Sequence, residues 1–430
     1  MERSTVERIA AQTPATRNRV VDLLRVAALG AVVLGHWTLA AVWLDGDELR
    51  TGAILGLATW THPLTWVFQV MPVFFLVGGY ANARSWRGAQ ERGTSWPEWL
   101  RGRLRRLLTP VVPLLVFWVV VLAVALAAGA DDQVLRTASQ TALVPTWFLA
   151  AYVVVCALTP LTLWVWRHIG WWSVPAGLLL GGAVDAVSLG TGSLLVGFAN
   201  YVVVWCTVHQ IGYAWLDGRL GGTGRRLALA AVGLAGLLLL VWLGPYPVSM
   251  VGLDDATVNN SYPTRVTLGF LGLLQGGLVL AAEPGLRRWM ARDRPWARTV
   301  VLGSRIMSVY LWHLTAMVLV IGGLLLVGRA GLAPEPLSWP WWATRPLWWG
   351  LLGVVTAAVV ALVGRFERPR PEPDGPEPPG WRAVAATVLG CGGLGLMAAL
   401  GLVGPNGVHW WWAAMPVVAV LLLRRRGAPG

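Results

Sequence analysis

Lysine is missing altogether: each of the 34 basic residues in this 430-residue chain is an arginine. Schiff-base chemistry on a lysine and the lysine-dependent P-loop are therefore excluded. Charge of either sign is scarce, at 13% of residues against 56% hydrophobic. Together with a long series of apolar runs, that balance points to an integral membrane protein with the lipid bilayer as its partner and no nucleic acid. Cysteine is scarce too. Cys156, Cys206 and Cys391 lie far apart in apolar runs without metal-ligand spacing, so they read as small membrane-core residues and no metal site is expected. The heavy use of Arg, Ala, Gly and Trp suits a GC-rich bacterial genome.

At about 17–25 apolar residues per span, helices are predicted near 20–44, 63–83, 107–129, 141–166, 171–189, 193–216, 227–244, 265–282, 300–327, 346–364, 381–403 and 408–423. The expected fold is an all-α integral membrane protein, a polytopic bundle of about 10–12 transmembrane helices. The first apolar stretch is too long, and too interrupted by charge, for a signal-peptide core, so it reads as an uncleaved span. Placing the N-terminus inside puts 27 of the arginines in cytoplasmic segments and leaves Arg50, Arg136, Arg265, Arg329 and Arg345 in outer loops, with Arg25 and Arg305 inside spans. Cytoplasmic loops hold such an excess when spans are counted correctly, so both termini are predicted to be cytoplasmic. The organisation read from this is a cytoplasmic tail (1–19), a ten-helix core (20–364), a Pro-rich cytoplasmic linker (365–380) containing "ERPRPEPDGPEPPG", a further helix pair (381–423) and a basic tail (424–430). The extra pair holds no acidic residue and reads as membrane packing and anchorage.

Several side chains do not belong in lipid. "VVDLLRVAALGAVVLGHWTLAAVWL" (20–44) carries Asp22, Arg25 and His36. Arg25 and His36 are eleven positions apart, which is three helical turns plus about 20°, so they share one face about 16 Å apart along the axis. An intramembrane charge is tolerated where it faces a bundle interior or aqueous cavity, so a shared polar face implies a shared passage. The alternative for Arg25 is snorkelling to the headgroups with Asp22 as its i,i+3 partner. For His36 it is a hydrogen bond to a neighbouring helix. Neutral imidazole is a competent general base. "EWLRGRLRRLLTP" (98–110) crowds Arg101, Arg103, Arg105 and Arg106 at the inner end of the third span, with Arg84 at the inner end of the second. Guanidinium forks suit phosphate oxygens, although an ordinary positive-inside cluster looks the same. "GSRIMSVYLWHLTAM" (303–317) brings Tyr310 and His313 about 15–20 Å into its span, at a depth similar to His36. "PTWFLAAYVV" (145–154) puts Trp147 and Tyr152 near the outer surface, where belt aromatics are common. His62, Gln69, Asp185, Asn200 and His209 are further polar intruders; nothing in the sequence names a partner for Asp185.

With these residues in place, the chain resembles the family-3 membrane acyltransferases, which acylate sugars and other hydroxyl compounds in bacteria. The resemblance rests on Arg25 and His36 within "RVVDLLRVAALGAVVLGHW", then "MPVFFLVGGY" (71–80), "RLRRLLTP", "TWFLAAY" and "VYLWH", and covers roughly 17–364. Many relatives carry a serine where this chain has Gly78, so a role for that hydroxyl is absent. The resemblance implies an acyl-CoA-dependent O-acyltransferase of the bacterial cytoplasmic membrane that modifies an envelope polysaccharide or other hydroxyl acceptor. Acyl-CoA, acetyl-CoA above all, would be the co-substrate, with no tightly bound cofactor. His36 would be the catalytic base with Asp22, Tyr310 and His313 in its site, and Arg25 would support the donor or the site. The clustered arginines, Arg103 and Arg106 foremost, would hold the CoA phosphates, and Trp147 and Tyr152 would meet the acceptor. A transporter using the polar passage is the competing class, although no inverted repeat or matched pair of broken helices is visible. A non-catalytic family member is the third reading.

Overall fold

The computed structural model describes residues 6, 11, 13–14, 16–46, 48–252, 257–328, 332–367, 377–404 and 407–425. Helix α1 (Arg19–Leu39) leads into a hairpin of β1 (Ala40–Asp45) and β2 (Glu48–Ala53). Short helical turns then precede α2 (Met71–Glu91), α3 (Trp96–Leu108), α4 (Val111–Ala127), α5 (Asp132–Leu143), α6 (Thr146–Ala157) and α7 (Thr159–Ile169). They are followed by α8 (Ser173–Thr191), α9 (Asn200–Leu216), α10 (Thr223–Leu243), α11 (Val266–Met290), α12 (Asp293–Gly303), α13 (Ile306–Leu326) and α14 (Trp339–Val363). Last come α15 (Gly380–Leu400), a two-residue hairpin of β3 (Val403–Gly404) and β4 (Gly407–Val408), and α16 (Trp410–Leu422). Among the described residues, ten helical segments are long and apolar enough to cross a membrane. The pair α3–α4, bent by 42°, makes an eleventh, and α16 is a shorter apolar helix. The chain is an all-α polytopic membrane protein.

Each expected span falls on helix, but several boundaries move. The first helix stops at Leu39, and Ala40–Asp45 pairs as a strand, because a short apolar run fits either periodicity. The segment expected at 141–166 is two helices: α6 ends at Ala157 and Pro160 opens α7, since proline fits the first turn and cannot continue a preceding one. The segment expected at 300–327 begins at Ile306, after a break at Ser304 and Arg305, so Arg305 lies outside the span and His313 only about 10 Å into it. There the Ser304 hydroxyl donates to the Val301 carbonyl at 2.7 Å, a local bond that competes with helix continuation. Arg345 is not in an outer loop. Ser338 caps α14 by accepting from the Trp341 amide at 3.3 Å, so the helix starts seven residues before the point at which a count of apolar residues stops. Of the expected linker, 368–376 lie outside the described residues, as do 1–5, 7–10 and 426–430 of the tails.

Two compact units divide the chain: Met1–Gly35 with Gly52–Trp86 and Leu158–Ile306, and His36–Thr51 with Arg87–Ala157 and Met307–Gly430. In the first, glycines set the helix spacing. A Cβ at Gly79 of α2 would collide with the carbonyl of His209 on α9, and one at Gly212 would collide with the carbonyl of Leu76. Close backbone approach of this kind drives helix association where no hydrophobic effect operates. Gly233 and Gly277 do the same for α10 and α11. Gly79→Val is therefore expected to prevent this crossing and abolish monodisperse protein in detergent size exclusion, while Gly35→Val, whose Cβ meets nothing within 4 Å, is expected to leave the elution profile unchanged.

The buried carboxylates Asp185 and Glu283 and the buried His209 of this unit are paired. Asp185 on α8, fully buried, accepts from Arg265 Nη1 at 3.2 Å, Asn200 Nδ2 at 2.8 Å, the Tyr246 hydroxyl at 3.1 Å and the Val266 amide at 2.8 Å. The carboxylate thus caps α11 and neutralises a buried guanidinium. Burial, and after it the adjacent Asp185 carboxylate, hold the Tyr246 hydroxyl above its usual pKa, so it remains a donor. His209 lies 3.2 Å from Asn82 Nδ2 and 2.9 Å from the Tyr213 hydroxyl. Glu283 accepts from Trp215 at 3.0 Å, Arg226 at 2.9 Å and Arg287 at 2.9 Å.

In the second unit, α15 packs along α6 and against α3, and pairs with α16. The Thr146 hydroxyl donates to the Leu394 carbonyl at 3.1 Å, tying the start of α6 to α15. A Cβ at Gly393 would reach Pro416 at 2.6 Å, so the α15–α16 contact is also glycine-dependent.

Candidate active site

The structure brings together His36 and His313, both in the second unit. His36, in the last turn of α1, is half-buried; His313, in the second turn of α13, is fully buried. His36 Nδ1 lies 2.8 Å from His313 Nε2, with the ring planes 6° apart. His313 Nδ1 lies 2.6 Å from the Tyr310 carbonyl, one turn back on the same helix.

That second contact fixes the hydrogens. A carbonyl only accepts, so His313 Nδ1 carries hydrogen, and with both rings neutral its Nε2 presents a lone pair to His36. His36 then carries its hydrogen on Nδ1 and keeps the lone pair of Nε2 for another partner. A base oriented through its other nitrogen by a third group is the general arrangement of histidine catalysis.

Packing holds the pair in place. The indole of Trp37 donates to the His313 carbonyl at 3.2 Å, and the indole of Trp348 donates to the Trp37 carbonyl at 3.3 Å. The Tyr310 hydroxyl donates to the Pro145 carbonyl at 3.0 Å, and Phe148 meets the Tyr310 ring edge-on at 5.5 Å. Trp118 donates to the Thr315 hydroxyl at 3.0 Å. On the same turns of α13, Glu367 accepts from Trp312, the neighbour of His313, at 2.8 Å and from Ser308. Tyr310 is thus a buried support whose hydroxyl is already bonded to the start of α6. Trp147 and Tyr152 are half-buried on either side of Phe148, 6.2 and 5.9 Å from its ring.

Arg25 lies on α1 with His36, and the helix is continuous through both. Its Nη2 donates to Asp22 at 2.9 Å, and the same carboxylate accepts from Arg17 Nε at 2.7 Å. That hydrogen bond from Arg17, partly opposed by burial, leaves the Arg17 guanidinium above its usual pKa. Asp22 therefore serves two arginines, and together they leave one positive charge there.

The arginine cluster separates by helical face. Arg101 is buried and ion-paired with Glu377 at 3.0 Å. Arg103 lies 5.6 Å over the Trp99 ring, Arg105 is half-buried, and Arg106 is exposed. Arg84 is exposed on α2. Trp37, Phe148, Trp348 and Glu367 were not singled out by sequence. Only Trp37, adjacent to His36, carried any signal, since one tryptophan among 28 has little information. Among the described residues, no group of three or more His, Cys, Asp or Glu is placed to hold a metal.

The model of the acyltransferase domain of family 3 matches residues 18–365, and the chain belongs to that family. Neither the curated proteins nor the solved structures gave a match. The protein is a multi-pass membrane acyltransferase, and α15 and α16 lie beyond the matched residues.

Proposed function

We propose that the protein is an O-acyltransferase of the bacterial cytoplasmic membrane, with both termini inside. It carries an acyl group, acetyl foremost, from cytoplasmic acyl-CoA to a hydroxyl of an envelope glycan or another hydroxyl acceptor. The carrying observation is the His36–His313 pair, which leaves the half-buried His36 Nε2 with an uncommitted lone pair.

The acceptor hydroxyl gives its proton to His36 Nε2 as its oxygen attacks the thioester carbon. His36 becomes an imidazolium whose Nδ1–H points at His313 Nε2, and the His313 Nδ1–H is polarised by the Tyr310 carbonyl. The carbon–sulfur bond breaks, the leaving thiolate takes the proton from His36, and the products are an ester and free CoA. Arg106, Arg103 and Arg105 on α3 supply guanidinium groups for the CoA phosphates, while Arg101 is held by Glu377. Arg25, steadied by Asp22, supports the donor side, and Trp147 and Tyr152 flank the acceptor.

Membranes bearing wild type or His36→Ala, incubated with radiolabelled acetyl-CoA and an envelope extract, test this. Label in glycan, lipid or small-molecule fractions with wild type alone is expected. Equal labelling by the two proteins would overturn the role of His36.

A further inference from the structure

Among the described residues, Arg345 has no counter-charge. It is 6% exposed, on the buried stripe of α14 that runs through Trp341, Leu352, Thr356 and Val360. Its Nε donates to the Trp341 carbonyl at 3.2 Å; among the described residues, its two terminal nitrogens make no hydrogen bond and no carboxylate pairs with it. The guanidinium lies over the rings of Trp341, at 4.1 Å, and Trp348, at 5.3 Å. Indole faces stabilise a cation but leave its in-plane N–H donors unused.

Two more donors on the same ridge are unused. The indole nitrogens of Trp341 and Trp349 are buried and, among the described residues, have no hydrogen-bond partner. Residues 341, 345 and 349 are four apart, so these donors follow one another along a single helical face. Buried donors are nearly always satisfied, and an unpaired charge inside a membrane protein is costly and marks a functional site. A guanidinium flanked by two orphaned N–H groups lacks what a carboxylate or phosphate supplies.

The place of this donor set gives it a use. Trp348, stacked on Arg345, is bonded to the Trp37 carbonyl, and Trp37 is bonded to the His313 carbonyl and adjacent in sequence to His36. We infer that Arg345, with the indole nitrogens of Trp341 and Trp349, binds an anionic group of the acceptor, so that the acylated compound is an acidic hydroxyl compound bearing a carboxylate or phosphate. The inference rests on the acyl-transfer reading for the identity of that ligand as acceptor, and on the unsatisfied donors for its charge.

The test has a turnover arm and a binding arm. In the first, the envelope extract is split by anion exchange into neutral and acidic pools and offered with radiolabelled acetyl-CoA to wild type, Arg345→Gln and Arg345→Lys. The expected result is label in the acidic pool, with KM for that pool raised about tenfold or more in Arg345→Gln, a smaller change in kcat, and partial recovery in Arg345→Lys. Label confined to the neutral pool, or an unchanged KM, would overturn the inference. In the second arm, purified protein is melted with glucuronate or glycerol phosphate against glucose or glycerol, in phosphatidylcholine nanodiscs with and without phosphatidylglycerol. Protection of wild type by the soluble anions and its loss in Arg345→Gln are expected. No anion-specific protection, or protection by phosphatidylglycerol alone, would overturn the assignment, the latter making a lipid headgroup the ligand. His36→Ala separates the two claims: it is expected to lose transfer but keep anion protection, and transfer retained in His36→Ala would strike the acyl-transfer reading without touching the binding result.

Discussion

Replacing His36 with alanine is expected to lower acyl transfer by about 10²–10⁴-fold, the range that a positioned general base contributes. The loss should fall on kcat, because the lone pair of Nε2 is needed only as the acceptor proton moves. His313→Ala is expected to cost less, about 10–100-fold, as for groups that orient a catalytic ligand. Without His313 the hydrogen of His36 is no longer held on Nδ1, and part of the population presents N–H where the base is required. His313→Gln separates orientation from other effects, because the amide oxygen can still accept from His36 Nδ1 and should restore part of the rate. Initial rates with labelled donor decide the matter. Equal losses in His313→Ala and His313→Gln would show that tautomer control is not the function of His313.

Asp185→Ala is the second large effect, and it falls on folding. The carboxylate holds four donors, one of them the buried guanidinium of Arg265. Removing one member of a buried ion pair typically costs about 3–5 kcal/mol, since the remaining charge is left uncompensated. A fluorescent fusion of Asp185→Ala heated and passed over size exclusion should lose its monodisperse peak well below the wild-type temperature. The double variant Asp185→Leu/Arg265→Leu should be less damaged than Asp185→Ala, because no charge is stranded. A double variant melting below the single would show that the network matters through its shape and not its charge.

How much of this was legible beforehand follows from what each signal measures. Hydropathy located every span, but it stops at a charge, and so it placed Arg345 in a loop when a serine cap starts that helix earlier. Periodicity put Arg25 and His36 on one face of α1, and the structure keeps them on one continuous helix. The partner of Asp185 was illegible because Arg265 lies 80 positions away, and nothing local encodes that distance. The arginine run on α3 read as one cluster, yet its members face different ways, and Arg101 faces a carboxylate 276 residues downstream. Phe148, the ring that meets Tyr310, was hidden between the two aromatics that drew attention.

The bond from Thr146 to Leu394 has a consequence in time. The two residues are 248 positions apart, and at roughly 5–20 residues per second a ribosome needs about 10–50 s to pass from one to the other. Throughout that interval α6 lacks the helix that later packs along it. A nascent chain halted before residue 380 would therefore leave the α15 face of α6 bare to the surrounding lipid.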